Sequence, residues 1–154
     1  MKTYEQIKDF NNWSNSDKDN FSISVIKGLV LDATRKANSG HPGGPMSCAD
    51  FAYILYRYHL KFNPEDSEWF NRDRFILSGG HMSMVQYALL LFTGWLTIDD
   101  IKKFRQLHSK TPGHPEVENH GVECTTGPLG QGFSMGVGMA TAEAYLRNLF
   151  LSQK

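Results

Sequence analysis

The sequence predicts an α/β fold that is mostly helical. Apolar residues recur with helical spacing in several segments, and one short apolar run at residues 74–77 (RFIL) is typical of a buried strand of a parallel sheet. The run is stopped by Ser78-Gly79-Gly80, and the order helix, strand, helix is typical of α/β proteins. With 154 residues, the chain has the length of about one domain.

The first helix is predicted at about residues 17–38, after a polar lead-in at residues 1–16. Ser16 or Asp17 is expected to cap its first turn, and Asn38-Ser39-Gly40 has the small, conformationally permissive residues at which helices end. Its expected apolar face repeats every four residues and consists of Phe21, Val25, Leu29, Ala33 and Ala37.

Four more helices are predicted further along the chain. The second covers about 48–60, because Ser47 and Asp50 resemble a capping box and Phe51, Ile54, Leu55 and Tyr58 form an apolar face. The third runs from His81 to Gly94, the fourth from Thr97 to about Leu107, and the last follows Gly132. Residues 109–132 are rich in Gly, Pro and Thr and too long for a simple connection, which is typical of a functional loop.

Composition excludes several classes of function. Sixteen basic residues balance sixteen acidic ones without a basic run, so we expect no nucleic-acid partner. The longest apolar stretch, residues 87–92, is far shorter than a membrane span, so no membrane association is expected. Cys48 and Cys124 have no metal-binding or redox spacing, and no secretory signal is visible, so a cytoplasmic location is expected.

Four glycine-rich loops carry the functional signal: SGHPGG, LSGGH, TPGHPE and TTGPLGQG. Glycine lets the backbone approach a ligand without an intervening side chain. In three of the loops a histidine directly follows glycine, namely His41, His81 and His114. Imidazole titrates near pH ~6.5 and suits proton transfer on hydroxyl and carbonyl groups. The pattern predicts one active site for a polyhydroxylated small molecule.

Other interpretations of these loops stay open at this point. Each histidine could simply hydrogen-bond a neighbouring backbone group. A three-histidine zinc hydrolase is a second alternative, although no local H-E-x-x-H pair is present. Residues 126–132 lack the Walker ending and the G-x-G-x-x-G pattern of nucleotide sites, and they could form a tight turn into the last helix with Leu129 as a core residue.

Taken together and in this order, SGHPGGP, RDRFILSGGH, LHSKTPGHPE and TTGPLGQG resemble the amino-terminal part of the diphosphate-binding domain of transketolases, which are thiamine diphosphate enzymes. The resemblance covers about Asp17 to Leu151 and implies that residues 17–154 form part of an incomplete thiamine diphosphate-binding fold. It implies transfer of a two-carbon ketol unit from a ketose phosphate to an aldose phosphate, in the pentose phosphate pathway, with the cofactor as electron sink.

The resemblance also implies residue roles. His41 and His114 would be catalytic and would bind the substrate, and the cofactor would be bound by His81, Gly127, Pro128 and Leu129. The family's Gly-Asp-Gly motif, which with a later Asn holds Mg²⁺ or Ca²⁺ on the diphosphate, does not occur in this sequence, so no metal ligand is assigned. The resemblance further implies that the activating glutamate belongs to a pyrimidine-binding domain, which we expect to lie outside this sequence.

Two hypotheses follow. In the first, the chain acts with a complementary transketolase chain or with missing regions, in a complete enzyme that is a homodimer and takes sugar phosphates. In the second, it is a non-catalytic fragment or assembly partner that retains the loops by descent. Leu146, Leu149, Phe150 and Leu151 at the end of the last helix would be exposed in either case, unless they pack against the first helix.

Overall fold

The computed structural model describes residues 7–151, and we number its five α-helices in chain order. They are α1 (Asn15–Ala37), α2 (Gly43–Ile54), α3 (Ser83–Phe92), α4 (Ile98–Ile101) and α5 (Gln131–Leu151). A π-helical turn, Leu55–His59, continues α2, and 3₁₀ turns occupy Phe10–Asn12 and Gly80–Met82. No helix in the described range has both the length and the apolarity that crossing a membrane requires.

Helix α1 begins earlier than the sequence predicted and ends where it predicted. Its N-cap is Ser14, whose Oγ accepts a hydrogen bond from the backbone N–H of Asp17 at 3.1 Å. The expected caps, Ser16 and Asp17, therefore lie inside the first turn. At the other end Asn38 adopts the left-handed conformation, with φ of 47°, which terminates the helix. Of the predicted lead-in, residues 1–6 lie outside the described residues.

The core forms where α1, α2 and α3 pack on one another. Helix α3 is the central element, because every residue from 83 to 90 is buried, as befits a helix that is largely apolar all round. Helix α1 contributes Ile23, Ile26, Val30 and Ala33 to this core. The predicted α1 face was therefore only partly correct, because a strict spacing of four residues drifts around a helix of 3.6 residues per turn.

Helix α2 begins at Gly43, five residues before the predicted start. The capping box expected at Ser47 and Asp50 is wrong, since both residues lie inside the helix and Asp50 forms an ion pair with Lys27 of α1. Pro45 is tolerated because it falls in the first turn, where backbone N–H groups have no helical partner.

The buried side of α2 differs in part from the predicted apolar face. Ala49, Ala52 and Tyr53 are buried, whereas Phe51 is 71% exposed and Tyr58 is 49% exposed. Of the predicted face, Ile54 does pack against the core, where it is partly buried.

The strand predicted at residues 74–77 is wrong for the structure described here. Residues 7–151 contain no β-strand, and the only pairing within them is an isolated bridge between Asn63 and Asp66. A strand needs a neighbour to accept its hydrogen bonds, and in this segment the carbonyl of Leu77 accepts one from the Thr126 hydroxyl at 2.8 Å instead. The parallel sheet of the predicted α/β class is thus not seen, and the described fold is helical.

The predicted helices on either side of Gly94 are present. After the 3₁₀ turn at His81, α3 runs to Phe92, and Gly94 has a φ of 86°. Thr97 caps α4 at the predicted start of the helix, and it forms a capping box with Asp100 that was not predicted. However, α4 ends at Ile101 rather than Leu107, and the left-handed backbone of Arg105 (φ of 60°) is incompatible with a continuing helix.

Helix α5 projects from this core with most of its apolar surface uncovered. Gly132 is its only buried residue among those described. Leu149, Phe150 and Leu151 are 42%, 57% and 60% exposed, as expected if they do not pack against the first helix, whereas Leu146 is half-buried. The result is an apolar face that no described part of the chain covers.

Candidate active site

Two of the predicted histidines meet between the ends of the core helices. His41 lies in the loop between α1 and α2, and His81 lies in the 3₁₀ turn that leads into α3. Their ring centroids are 5.3 Å apart, and the ring planes are inclined by 75°. The fold therefore places side by side two imidazoles that are 40 positions apart in the sequence.

The loop that carries His41 depends on glycine at position 40. Gly40 has a φ of 131°, which side chains other than glycine rarely adopt. A Cβ at this position would also lie 2.8 Å from Cγ2 of Thr34 and 3.1 Å from the Phe104 ring. The Gly-His pair seen in the sequence thus has a local structural cause: only glycine turns the chain closely enough over α1.

His114 completes the group of imidazoles. The residue is exposed overall, yet partial burial of its ring lowers the pKa of His114, and positive charge on Arg105, His41 and His81 lowers it further. The neutral ring is therefore the main form at neutral pH. Such a ring donates from one nitrogen and accepts at the other, as proton transfer to or from an oxygen requires.

The TTGPLGQG loop lies against the loops that carry His81 and His114. The backbone N–H of Thr126 donates to the carbonyl of Pro115 at 3.2 Å, next to His114. A Cβ on Gly80 would lie 2.8 Å from both the backbone and the Oγ1 of Thr126, so glycine there permits the close approach. All four loops singled out in the sequence are thereby brought to one region.

Gly127, Pro128 and Leu129 lie at the edge of the histidine group. A Cβ on Gly127 would lie 3.7 Å from Cδ2 of His114, so the missing side chain leaves that part of the ring uncovered. Leu129 is 77% exposed, and the interpretation of Leu129 as a core residue is therefore wrong. The tight turn is present, since the N–H of Gln131 donates to the Pro128 carbonyl and Gly130 has a φ of 91°.

Arg105 was missed by the sequence analysis, which placed it within a helix. A Cβ on Gly113 would lie only 3.0 Å from Nη2 of Arg105, so the guanidinium packs against the backbone just before His114. The backbone N–H of Arg105 donates to the carbonyl of Thr111 at 2.9 Å. No propensity rule predicts a left-handed arginine, and only its nearness in sequence to TPGHPE could have drawn attention to it.

Three further histidines lie elsewhere in the described part of the chain. His59 and His108 are exposed, and His120 pairs with the hydroxyl of Ser67 at 3.1 Å. Within residues 7–151, no three or more His, Cys, Asp or Glu side chains are grouped so that they could hold a metal ion. The zinc alternative therefore gains no support from the described part of the chain.

Comparison with known proteins gives consistent results. Residues 18–153 match the family model described as transketolase, thiamine diphosphate binding domain. The chain is 56% identical to the transketolase of Staphylococcus epidermidis over 136 residues, which is 88% of this chain and 20% of that protein. It is 57% identical to the transketolase of Nostoc over 132 residues, or 84% of this chain and 20% of that one.

Solved structures agree with the sequence relatives. The transketolase complex with sedoheptulose 7-phosphate from Pichia stipitis has a TM-score of 0.80 and 52% identity, over 82% of this chain and 19% of that one. Transketolase from Leishmania mexicana has a TM-score of 0.81 and 48% identity, over 83% and 19% respectively. The chain thus spans about a fifth of the length of the relatives it matches.

Proposed function

Because this chain belongs to the transketolase family, we propose that it supplies the histidine loops of an enzyme that transfers a two-carbon ketol unit from a ketose phosphate to an aldose phosphate. The observation that carries the proposal is the grouping of His41, His81 and His114 beside Gly127. A chance set of loop histidines, each bonded to its own backbone neighbour, does not account for rings drawn together from three separate loops.

The residues expected to line thiamine diphosphate are suited to that group. Pro128 and Leu129 present exposed apolar surface, and Gly127 leaves open space beside His114. A flat heterocyclic ring lying over these residues would remove their hydrophobic surface from water. When bound, thiamine diphosphate supplies an electron sink for breaking and forming the carbon–carbon bond. His81, in ring contact with His41, would lie where cofactor and substrate meet.

His41 and His114 would handle protons on the sugar. A neutral imidazole accepts a proton from a substrate hydroxyl and returns it to a carbonyl oxygen, and such catalysis is worth about 10²–10⁴ in rate. The lowered pKa of His114 favours the base form at neutral pH. The exposure of His41 and His114 leaves both rings accessible to a substrate.

We propose that further protein segments complete the site. The chain spans about a fifth of its relatives, so the diphosphate anchor, its Mg²⁺ or Ca²⁺ and the homodimer belong to the proposed complete enzyme. The uncovered face of α5 supports a neighbouring protein segment, because Phe133, Val137 and Tyr145 are 73%, 55% and 67% exposed. The cytoplasmic location expected from Cys48 and Cys124 stays a prediction.

The same uncovered face supports the second candidate, a non-catalytic assembly partner. Both candidates predict that the chain binds a complementary polypeptide through α5, since apolar surface of this extent is typical of interaction sites. They differ only in whether the histidine loops act on a substrate. A binding measurement therefore cannot separate them, whereas a measurement of turnover can.

The experiment is a complementation assay. The chain is mixed with a polypeptide that carries the remaining regions of a transketolase relative, together with thiamine diphosphate, Mg²⁺, a ketose phosphate and an aldose phosphate. We expect ketol transfer well above that of the complementary polypeptide alone. A complex that forms without ketol transfer would instead support the assembly partner, and it would contradict the proposed activity.

A further inference from the structure

We infer that Tyr87 and Ser83, one turn apart on α3, are positioning residues that hold the His114 loop in register with His81. Neither residue was singled out by the sequence. The inference rests on the proposed function only for its catalytic consequence, because the hydrogen bonds that carry it are features of the fold itself.

Three consecutive carbonyl groups of the loop accept hydrogen bonds from these two hydroxyls. The Tyr87 hydroxyl is shared between the carbonyl oxygens of Pro112, at 2.9 Å, and His114, at 3.1 Å. The Ser83 hydroxyl donates to the carbonyl of Gly113 at 2.9 Å. Residues four apart lie on the same face of a helix, so both hydroxyls reach the loop from one side of α3.

Burial makes these hydrogen bonds costly to lose. Ser83 and Tyr87 are both 0% exposed, and the Tyr87 ring packs against Phe104 with 6.2 Å between centroids. A partly buried carbonyl that loses its donor is left without a hydrogen-bond partner, which is unfavourable. Burial, and next the charge of Glu116, raise the pKa of Tyr87, so the phenol keeps its proton and remains a donor at neutral pH.

The arrangement couples the position of one catalytic loop to another. The loop is already anchored at its two ends, where Arg105 binds the Thr111 carbonyl and Thr126 binds the Pro115 carbonyl. Ser83 and Tyr87 fix the segment between these anchors. His81 lies two residues before Ser83, in the turn that leads into α3. The beginning of α3 therefore positions both His81 and, through Ser83 and Tyr87, the backbone of His114.

The test uses variants that each remove a single oxygen atom. Tyr87→Phe and Ser83→Ala remove the donors to the loop. Tyr53→Phe and Ser24→Ala are the matched controls, since the Tyr53 hydroxyl binds Asp19 and the Ser24 hydroxyl binds the Asn20 carbonyl, both outside the loop. Circular dichroism establishes that each variant is folded.

Two readouts are measured, one of which is independent of activity. In the chain labelled at histidine, the His114 ring signal and its pH titration are followed by NMR. We expect Tyr87→Phe and Ser83→Ala to move the His114 signal and raise its pKa, whereas both controls leave it unchanged. In the complemented enzyme, we expect the turnover rate to fall about tenfold or more in Tyr87→Phe, because a small displacement of a catalytic group slows the reaction. In Tyr53→Phe the turnover rate should stay within about twofold of the wild type.

The outcomes separate this inference from the proposed function. If the wild-type complex shows no ketol transfer but the His114 signal responds to Tyr87→Phe, the proposed function fails while the positioning of the loop stands. If the His114 signal and titration of folded Tyr87→Phe and Ser83→Ala match the wild type, the inference is overturned. Equal losses of turnover in Tyr87→Phe and Tyr53→Phe would also overturn it. Should Tyr87→Phe not fold, Ser83→Ala decides the question alone.

Discussion

The imidazole rings of His41 and His81 lie 5.3 Å apart, with their planes inclined by 75°. The contact joins the loop after α1 to the turn before α3, and these two segments belong to different parts of the sequence. It therefore brings two of the three Gly-His pairs together, which the proposal of a single site requires.

The ring contact predicts that the effects of His41→Ala and His81→Ala on kcat/KM are not additive. Residues in contact show interaction energies of about 0.5–3 kcal/mol in double-mutant cycles. The cycle is measured by ketol transfer in the complemented enzyme. His59→Ala, in the exposed π-helical turn, is the matched control, and its effect should add to that of His41→Ala. Strict additivity of His41→Ala and His81→Ala would argue against a shared site.

The pKa of His114, which is lowered first by burial and next by Arg105, predicts a pH dependence of stability. The His114 ring binds a proton more weakly in the native chain than in the unfolded chain. Between the native and the unfolded pKa of His114, the unfolded chain therefore holds more protons, so the stability of the native chain falls as the pH drops below about 6.5. Arg105→Gln removes one positive neighbour and should raise the pKa of His114 in an NMR titration. Lys110→Gln, in the same loop, is the control and should leave it unchanged; an equal response to both changes would contradict the role of Arg105.

Two glycines of α5 should respond oppositely to alanine. A Cβ on Gly132 would lie 2.7 Å from Cα of Ser78, so backbone must move and Gly132→Ala should destabilise the chain by about 1–3 kcal/mol. Gly138 has open space around it, and Gly138→Ala should stabilise the helix by about 0.5–1 kcal/mol. Urea unfolding measures both. A Gly132→Ala variant as stable as Gly138→Ala would show that α5 does not pack on Ser78 as described.

A largely buried ion pair fixes the segment before the SGGH loop. Arg72 binds both carboxylate oxygens of Glu123, at 2.8 and 3.0 Å, and their side chains are 12% and 10% exposed. Removing one partner of such a pair costs about 3–5 kcal/mol, so Glu123→Gln should lower the free energy of unfolding by about 3 kcal/mol.

The matched control is the pair of Arg147 and Glu143, whose side chains are each 63% exposed. Exposed pairs contribute about 0–1 kcal/mol, so Glu143→Gln should change the free energy of unfolding by less than about 1 kcal/mol. Similar losses in Glu123→Gln and Glu143→Gln would mean that Arg72 and Glu123 do not form a buried pair in solution.

Local features of the sequence were sufficient to predict helix ends that depend only on residues within one turn. The predicted end of α1 is correct because Asn38 tolerates the left-handed backbone it adopts, and the predicted start of α4 is correct because Thr97 caps its first turn. The pair of Ser47 and Asp50 was also predicted to cap a helix from its local spacing, but Asp50 binds Lys27 of another helix instead. A local signal is thus reliable only where no distant partner competes for it.

The strand predicted at residues 74–77 shows that a backbone carbonyl, too, can bind a distant partner that the local sequence does not reveal. Its apolar residues do help to form the core, since Leu77 is buried and the Phe75 ring packs against Tyr56 at 5.2 Å. Whether such a segment is a strand depends on a neighbour elsewhere in the chain, and here the Leu77 carbonyl is bound by Thr126.

Within the candidate site, the three histidines were predictable because glycine precedes each one in a loop. The pattern of loops also predicted that they share one site, whereas the contact between the His41 and His81 rings depends on how distant segments pack together. Arg105, Ser83 and Tyr87 carry no local signal. Arg105 was assigned to a helix, and the two hydroxyls lie on a helix whose buried residues are typical of a core. Their part in the site appears only when α3 and the TPGHPE loop are placed together.

The most direct test of the central claim is the rate of ketol transfer by the complemented enzyme assembled with His114→Ala. We predict that transfer falls by about a hundredfold or more relative to the wild-type chain, in line with the loss of a general acid–base group. His59→Ala, an exposed histidine outside the site, should retain the wild-type rate. If His114→Ala transfers the ketol unit as fast as His59→Ala, the claim that this chain supplies a catalytic histidine is contradicted.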